Sequence, residues 1–458
     1  MRATLLFLLS SISLLAQIKM PAFERVELSN GAVLMLMQKK DLPIVNIQIS
    51  VKGGSEADPA GMAGMASLAT EMLSRGTKSR SREQLGQELD QLGINLQTNV
   101  GRQFASLEME FLSKDARQSI VLLEDMLTHP AFDETEVKRL VEQRVDAAKA
   151  VKDNPRQALA EYYRAFYFGK THPYGSSPNG DEVSLPRINR DAMLSWFQKN
   201  YVGKNLVVVV AGDFDRTQMT DSMKALLSKI PAGEAYVWKS PPTVPNSGSP
   251  RLLLVDMPEA TQTYFAIGQP GIERSNPDRT PLELVNTLFG GRFTSMLNDA
   301  LRVESGLTYG ASSTVQMDRL PGGIVISTFT KTETTEAAMD LALKQIEKLQ
   351  SKGIDAEQLS SAKAYVKGEY PTRRLETVDQ LSMMLTEFEV HGLNRGEVDD
   401  LISRIDAVSL ERANAVARKY YKPTGLVFVV IGDVAKIRKS ISKYAKNMTE
   451  VKIQKAGF

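Results

Sequence analysis

Alternating apolar and polar residues predict a strand between residues 104 and 111. Leu107 and Met109 fall on one face of this segment, and Ser106 and Glu108 fall on the other. Successive side chains of a strand point to opposite sides of the sheet, so the polar face is expected to contact solvent. The segment therefore predicts a strand of an antiparallel sheet with one buried face and one wet face.

Helical spacing of apolar residues predicts helices around this strand. Ser81 and Gln84 have the spacing of a capping box, and leucines follow at helical intervals as far as Gly93. Residues 115–127 and 134–152 are also amphipathic, and the second segment stops at an Asp-Asn-Pro sequence. Strands and helices come in blocks and do not alternate strictly. This order favours an α+β fold, a mainly antiparallel sheet with helices packed on one face, over a doubly wound parallel sheet.

Two similar segments indicate that the chain contains a tandem repeat. Residues 205–213 read NLVVVVAGD, and residues 425–433 read GLVFVVIGD, 220 positions later. A helical stretch that ends in tyrosine precedes each segment, and Ala-Phe-Asp at 131–133 matches Gly-Ile-Asp at 353–355. Matches in the same order at a nearly constant offset indicate two tandem homologous domains.

A proline-rich segment from Ile230 to Pro250 predicts the linker between these domains. It contains five prolines, and prolines with glycine and serine disfavour helices and strands. We therefore expect an N-terminal domain over residues 18–232, a linker over 233–250 and a C-terminal domain over 251–458.

The first residues have the pattern of a targeting segment. Arg2 precedes the apolar run Leu5–Leu15, which is 11 residues long. A bilayer takes about 20 residues to cross, but a run of this length fits the apolar region of a secretory signal. Residues 1–17 are therefore interpreted as a signal peptide, with a buried N-terminal helix as the alternative. The mature protein is expected to be exported, to the periplasm in a bacterium, and to have no membrane segment.

Composition excludes several kinds of chemistry. The chain has 458 residues with 56 Lys+Arg and 54 Asp+Glu, a net charge of +2, so no overall field favours nucleic acid as a partner. It has no cysteine, which excludes thiolate zinc sites, disulfides and cysteine nucleophiles. Its three histidines, His129, His172 and His391, are far apart in sequence, so no paired zinc-ligand spacing exists.

Residues 61–77, GMAGMASLATEMLSRGT, resemble the signature of the pitrilysin/insulinase family of zinc metallopeptidases, which includes mitochondrial processing peptidase. The family signature reads approximately G-x-A-H-x-x-E-H-M-x-x-x-G-T. The turn His172–Gly175 resembles the family's His-Pro-Tyr-Gly turn, and residues 262–271 and 301–312 resemble segments of its second domain. The resemblance covers nearly the whole chain after residue 17. It implies two tandem domains that face each other like a clamshell around a peptide-binding chamber.

The resemblance breaks at every position that binds zinc in the family. Ser67 stands at the first zinc histidine, Thr70 at the general-base glutamate and Glu71 at the second histidine. The remaining ligand is a glutamate six residues before an Asp-x-Pro stop, and Ala147 occupies that position here. In the family motif, two imidazoles hold Zn²⁺ while the glutamate takes a proton from the bound water. Serine, threonine and alanine do not replace these groups, so no catalytic zinc centre and no metal cofactor is expected in this chain.

An arginine and a tyrosine of the family's site are kept. In the family this pair, seven residues apart, comes from the second domain or from a partner subunit and reaches the substrate; here it is Arg302 and Tyr309. A guanidinium and a phenol can donate hydrogen bonds to the scissile carbonyl and stabilise the developing oxyanion. The alternative is structural: Arg302 pairs with a nearby carboxylate such as Glu304, and Tyr309 is a half-buried packing residue.

The resemblance therefore implies a non-catalytic, peptide-binding subunit of an exported heteromeric zinc metallopeptidase. Its partner would be a homologous subunit that carries an intact H-x-x-E-H motif and the zinc ion, and its substrate a peptide or unfolded polypeptide. One alternative is a peptide-binding or assembly protein with no proteolytic role. The second alternative is a metalloendopeptidase that acts by itself.

Overall fold

The computed structural model describes residues 18–240, residue 244 and residues 248–457. The segment interpreted as a signal peptide lies outside the described residues. Within the described ranges, no helix has both the length and the apolar character needed to cross a bilayer.

The first half of the chain forms a six-stranded sheet with helices around it. Its strands are β1 (Glu24–Glu27), β2 (Val33–Gln38), β3 (Ile44–Lys52), β4 (Asn95–Val100), β5 (Phe104–Leu112) and β6 (Leu206–Gly212). Its helices are α1 (Met65–Glu71), α2 (Arg82–Gln91), α3 (Ala116–Thr128), α4 (Glu134–Ala150), α5 (Pro155–Phe168), α6 (Arg190–Asn200) and α7 (Arg216–Leu227). The predicted capping box at Ser81 and Gln84 begins α2, as expected.

The second half forms another six-stranded sheet with its own helices. Its strands are β7 (Arg251–Asp256), β8 (Gln262–Pro270), β9 (Ala311–Met317), β10 (Pro321–Lys331), β11 (Val427–Gly432) and β12 (Asn447–Lys452). Its helices are α8 (Arg279–Asn286), α9 (Met296–Asn298), α10 (Thr335–Lys352), α11 (Ala356–Arg374), α12 (Val378–His391), α13 (Gly396–Asp399), α14 (Leu401–Asp406), α15 (Leu410–Tyr420) and α16 (Val434–Ile441). Two π-helical turns, Thr287–Gly291 and Asp299–Glu304, follow α8 and α9.

The two sheets share one architecture, which confirms the predicted α+β repeat. Their strand orders are β1-β2-β6-β3-β5-β4 and β12-β7-β11-β8-β10-β9. The two repeated valine-rich segments form β6 and β11, which hold the third place in their sheets. Most neighbours are antiparallel, whereas β2 pairs with β6 and β7 pairs with β11 in parallel. The outermost strands differ, because β1 runs antiparallel to β2 while β12 runs parallel to β7.

Helices cover one face of each sheet and bury its apolar side chains. In the first half, Ile47 and Leu107 are fully buried in one cluster with Leu68 of α1. In the second half, Phe265 and Ile326 form the corresponding cluster with helices of that half. Complete burial of such a side chain stabilises the fold by about 1.5–3 kcal/mol.

The opposite face of each sheet is covered by a helix from the other half. Helix α12 packs on β3 and β6, where Leu381, Leu385 and Phe388 share a buried cluster with Val207 and Val209. Helix α5 packs in the same way on β8 and β11. The two halves therefore interlock, and they do not form the clamshell of two facing units that the resemblance implied.

The predicted wet face of β5 is wrong for the same reason. Ser106 of β5 and Gln48 of the neighbouring β3 are completely buried, and burial raises the pKa of Glu108. The Gln48 amide donates a hydrogen bond of 3.2 Å to Thr386 of α12, 338 residues later in the chain. Alternation along one strand cannot reveal that a distant helix covers its polar side.

Candidate functional site

The degenerate zinc motif lies on α1, a short buried helix. The Asp58 carboxylate accepts hydrogen bonds from the backbone N–H groups of Gly64 and Ala66, both at 2.8 Å, and so fixes the start of the helix. Gly64 has a φ of 95°, and a Cβ there would lie 2.9 Å from Gly180, so this position requires glycine. Burial raises the pKa of Asp58 to about 7, although the hydrogen bonds from the backbone oppose the shift.

Two motif positions hold side chains that pack inside the first half. Thr70 is completely buried, and its hydroxyl accepts a hydrogen bond of 2.9 Å from the hydroxyl of Tyr201. Tyr201 is also buried and stacks on Phe197, with ring centroids 4.6 Å apart. Ser67 is buried and donates a long hydrogen bond of 3.4 Å to the side chain of Asn179. Both hydroxyls therefore take part in hydrogen bonds within the first half.

Two guanidinium groups hold Glu71. Arg75 follows it after one turn, and Arg144 comes from α4; both donate hydrogen bonds to its carboxylate. Burial alone would raise the pKa of Glu71, but the two arginines outweigh burial and hold the pKa below its usual range. Glu71 is thus an ionised carboxylate, and both arginines pair with it.

Ala147 lies one turn after Arg144 on α4, and both residues line a cavity of about 150 Å³. The four motif positions thus offer a methyl group, two hydroxyls used in other hydrogen bonds and a carboxylate occupied by arginines. Zn²⁺ in a catalytic site takes three nitrogen, oxygen or sulfur ligands from the protein. This donor set does not fit a zinc ion. Across the described residues there is also no group of three His, Asp or Glu side chains arranged to hold a metal.

The His-Pro-Tyr-Gly turn lies where the two halves meet. His172 is buried and stacks on Phe168, and its Nδ1 accepts a hydrogen bond of 3.0 Å from the backbone N–H of Tyr174. Burial and the nearby Arg102 and Arg319 lower the pKa of His172 to about 4, so the ring is neutral near pH 7. The Tyr174 hydroxyl accepts a hydrogen bond from the backbone of the second half, at residue 320. The turn therefore joins the halves and offers no metal ligand set.

Arg302 and Tyr309 lie in the second half, on the segment that leads into β9. The Arg302 guanidinium lies 4.6 Å from the centroid of the Phe293 ring. No carboxylate in the part of the chain that the structure describes lies within 4.0 Å of Arg302, so it does not pair with Glu304. Tyr309 is 82% exposed, with its ring 6.4 Å from that of Phe329. The structure therefore does not contain the contacts that the structural alternative for this pair required.

Exposed apolar side chains accompany this pair. Phe293 is 67% exposed and Val303 is 71% exposed, and both adjoin Arg302 in space or in sequence. We call Phe293, Arg302, Val303 and Tyr309 the Arg302 patch. Exposed apolar groups gathered around a polar centre are typical of interaction surfaces.

The sequence analysis missed the residues that donate hydrogen bonds to the side chains of the degenerate motif. Arg144 is 73 positions from Glu71, and Tyr201 is 131 positions from Thr70. One signal was present for Arg144, since it precedes Ala147 by three residues and shares its face of the helix. Tyr201 carried no comparable local signal.

The fold and the motif positions together define a two-domain chain of the metallopeptidase type whose site does not fit zinc. The chain belongs to peptidase family M16. The family model described as "Insulinase (Peptidase family M16)" matches residues 34–175, and the model described as "Peptidase M16 inactive domain" matches residues 187–366. These matches confirm the resemblance seen in the sequence and support a non-catalytic role.

Similar curated proteins come from several bacteria. A protein named "Non-peptidase homolog YmxG" from Helicobacter pylori is 23% identical over 417 residues, which cover 91% of this chain and 95% of the relative. A protein named "Uncharacterized zinc protease Mb2805c" from Mycobacterium bovis is 26% identical over 387 residues, 82% of this chain and 86% of the relative.

Solved structures show the same fold. The crystal structure of a peptidase M16 inactive domain from Pseudomonas fluorescens superposes with a TM-score of 0.82 at 22% identity, over 90% of this chain and 98% of the other. A protease from Helicobacter pylori gives a TM-score of 0.81 at 18% identity, over 90% of this chain and 100% of the other.

Proposed function

We propose that this chain is the non-catalytic, peptide-binding subunit of an exported heteromeric zinc metallopeptidase. The contrast between two sets of residues carries the proposal. Thr70 and Glu71 are satisfied inside the first half by Tyr201 and Arg144. In contrast, the side chain of Tyr309 is exposed, and the Arg302 guanidinium lies over the exposed ring of Phe293.

In the proposed complex, the zinc ion belongs to a homologous partner subunit with an intact H-x-x-E-H motif, and this chain binds no metal. Such a zinc ion supplies a hydroxide and polarises the scissile carbonyl. Arg302 and Tyr309 donate hydrogen bonds to the same carbonyl oxygen as negative charge develops on it. Phe293 and Val303 beside them supply apolar contact with the peptide or with the partner.

The open edge of the first sheet supports peptide binding. β4 is the last strand in the sheet order and packs beside α1, which carries the degenerate motif. Its alternate residues Asn95, Gln97 and Asn99 are exposed. An extended peptide can join such an edge through backbone hydrogen bonds.

The interlocked halves support a complex of two chains. Helices α5 and α12 fix the two sheets against each other, so the halves of one chain cannot open and close around a peptide. A chamber that encloses a substrate is therefore formed between this chain and a second one. We also propose that the complex works outside the cytoplasm, because residues 1–17 have the pattern of a signal peptide.

Affinity purification of the tagged chain from its native host tests the proposal. We expect a co-purifying chain of similar size that carries H-x-x-E-H, together with peptide hydrolysis that a chelator abolishes. N-terminal sequencing of the purified chain checks removal of the signal peptide. A preparation that contains only this chain, as a monomer or a homodimer, would contradict the proposal.

A specific observation favours a second candidate. The relative from Helicobacter pylori is named a non-peptidase homologue, which fits a chain that binds peptides or assembles with partners without a proteolytic role. Peptide binding by the native complex, without chelator-sensitive hydrolysis, would support this candidate. Stoichiometric zinc in the purified chain, with chelator-sensitive cleavage, would instead identify a peptidase that acts by itself.

A further inference from the structure

A charged cavity lies in the second half, and none of the residues of the Arg302 patch lines it. It has a volume of about 510 Å³ and lies between α8, β9 and α11. Cavities of about 300–1,000 Å³ are typical of ligand sites.

The cavity is the counterpart, in the second domain, of the cavity beside the degenerate motif. Helices α4 and α11 begin after the matching residues Asp133 and Asp355, which are 222 positions apart. The residues of α4 and its end that line the first cavity are Arg144, Ala147, Ala148, Val151 and Lys152. The residues 222 positions later, Val366, Glu369, Tyr370, Arg373 and Arg374, all line the second cavity. The repeat has therefore kept a cavity at the same place in both domains.

Positive charge is in excess around the second cavity. Five arginines and three glutamates line it: Arg274, Arg279, Arg373, Arg374, Arg404, Glu283, Glu369 and Glu397. Arg274 and Arg374 share one carboxylate, that of Glu387, at 2.9 Å and 2.6 Å. Arg279 and Arg404 likewise share Glu397, at 2.7 Å and 3.8 Å. Arg373 pairs with Glu369 at 2.9 Å. With Glu387 included, five arginines face four glutamates, so the two shared carboxylates leave a small excess of positive charge for a further anion.

Glu283 projects into the cavity without a partner. Its side chain lines the cavity, and no hydrogen bond or ion pair reaches its carboxylate from any described residue. Burial raises the pKa of Glu283, although Arg279, Arg374 and Arg404 act in the opposite direction. A carboxyl group that accepts a proton can donate a hydrogen bond to an incoming carboxylate.

We propose that this cavity binds carboxylate side chains of an acidic polypeptide segment. The guanidinium groups offer the forked donors that match carboxylates, and Glu283 adds a donor when it is protonated. The inference rests on the proposed function in taking a polypeptide as the ligand. It does not require a zinc subunit, because the cavity lies within this chain.

The test measures binding of a fluorescein-labelled, terminally capped hexaglutamate peptide to the isolated full chain by fluorescence anisotropy. Thr314 is exposed, lies on β9 and lines the cavity. Thr314→Glu should weaken binding by about tenfold or more, since it adds a negative charge at the cavity. Ser312→Glu is the matched control, because Ser312 is exposed on the same face of β9 but does not line the cavity. It should leave binding unchanged. Glu283→Gln keeps a hydrogen-bond donor at this position without a negative charge, so it should strengthen binding.

Several results would overturn the inference. Equal binding of hexaglutamate and hexaalanine peptides is one, and equal weakening by Thr314→Glu and Ser312→Glu is another. Unlabelled inorganic phosphate and glutarate serve as competitors of the labelled peptide. If they displace it only at concentrations much higher than that of unlabelled hexaglutamate, the result supports a polypeptide ligand. Tighter binding of phosphate than of hexaglutamate contradicts it. Loss of peptide hydrolysis in the native complex does not affect this assay, so the failure of one proposal is distinguishable from the failure of the other.

Discussion

Thr70→Val tests whether the general-base position of the motif has become a structural position. Valine has nearly the shape of threonine and lacks only the hydroxyl. Thr70 is completely buried, and its hydroxyl accepts the hydrogen bond of 2.9 Å from Tyr201. The substitution leaves the Tyr201 hydroxyl buried without a partner, which costs about 1–3 kcal/mol.

Tyr201→Phe provides the second corner of a double-mutant cycle. It removes the donor and leaves the buried Thr70 hydroxyl without this partner, so we expect a similar loss of about 1–3 kcal/mol. When both partners become apolar, no buried polar group is left over. The double variant Thr70→Val/Tyr201→Phe should therefore be more stable than Thr70→Val alone.

Urea unfolding followed by circular dichroism measures the free energy of unfolding for each variant. Thr135→Val, in the exposed first turn of α4, is the control and should change it by no more than about 0.5 kcal/mol. A Thr70→Val variant as stable as this control would falsify the structural interpretation. A double variant less stable than Thr70→Val would contradict the coupling.

Three further predictions follow from the contacts that hold the fold and the motif. Phe388→Ala removes a buried ring by which α12 covers the first sheet; it should cost about 3–5 kcal/mol and speed hydrogen exchange in β3 and β6. Asp58 has a folded pKa of about 7, above its unfolded value. Its carboxyl therefore contributes stability at acidic pH that is lost as pH rises through about 7, and Asp58→Asn should flatten the dependence of the melting temperature between pH 4 and pH 8. Arg144→Ala removes one of the two groups that lower the pKa of Glu71; the Glu71 carboxyl should then titrate at higher pH by NMR, whereas an unchanged titration would show that Arg144 does not hold it.

Local sequence patterns were sufficient for much of the fold. The capping box at Ser81 and Gln84, the amphipathic helix that ends before Pro155 and the two valine-rich strands all form as predicted. Each of these elements depends on residues close together in the chain, so spacing and periodicity reveal it. The repeated order of the elements then indicated that both halves have one architecture.

The exchange of helices between the halves could not be predicted in this way. Gln48 and Ser106 are polar residues of ordinary alternating strands, and nothing near them in sequence shows that α12 buries them. The same holds for the motif, where sequence indicated which zinc ligands are missing but not which groups replace their contacts. Arg144 and Tyr201 meet Glu71 and Thr70 only in the folded chain.

The most direct test of the proposed role is peptide turnover by the native complex with and without the Arg302 side chain. Removal of one donor to a developing oxyanion lowers kcat by about 10²–10³, so Arg302→Ala should lower kcat to this extent and Tyr309→Phe should also lower it. Arg418→Ala, at an exposed position on α15, should leave turnover unchanged. If Arg302→Ala turns over peptides at the rate of the unaltered complex, this chain does not complete the partner's site.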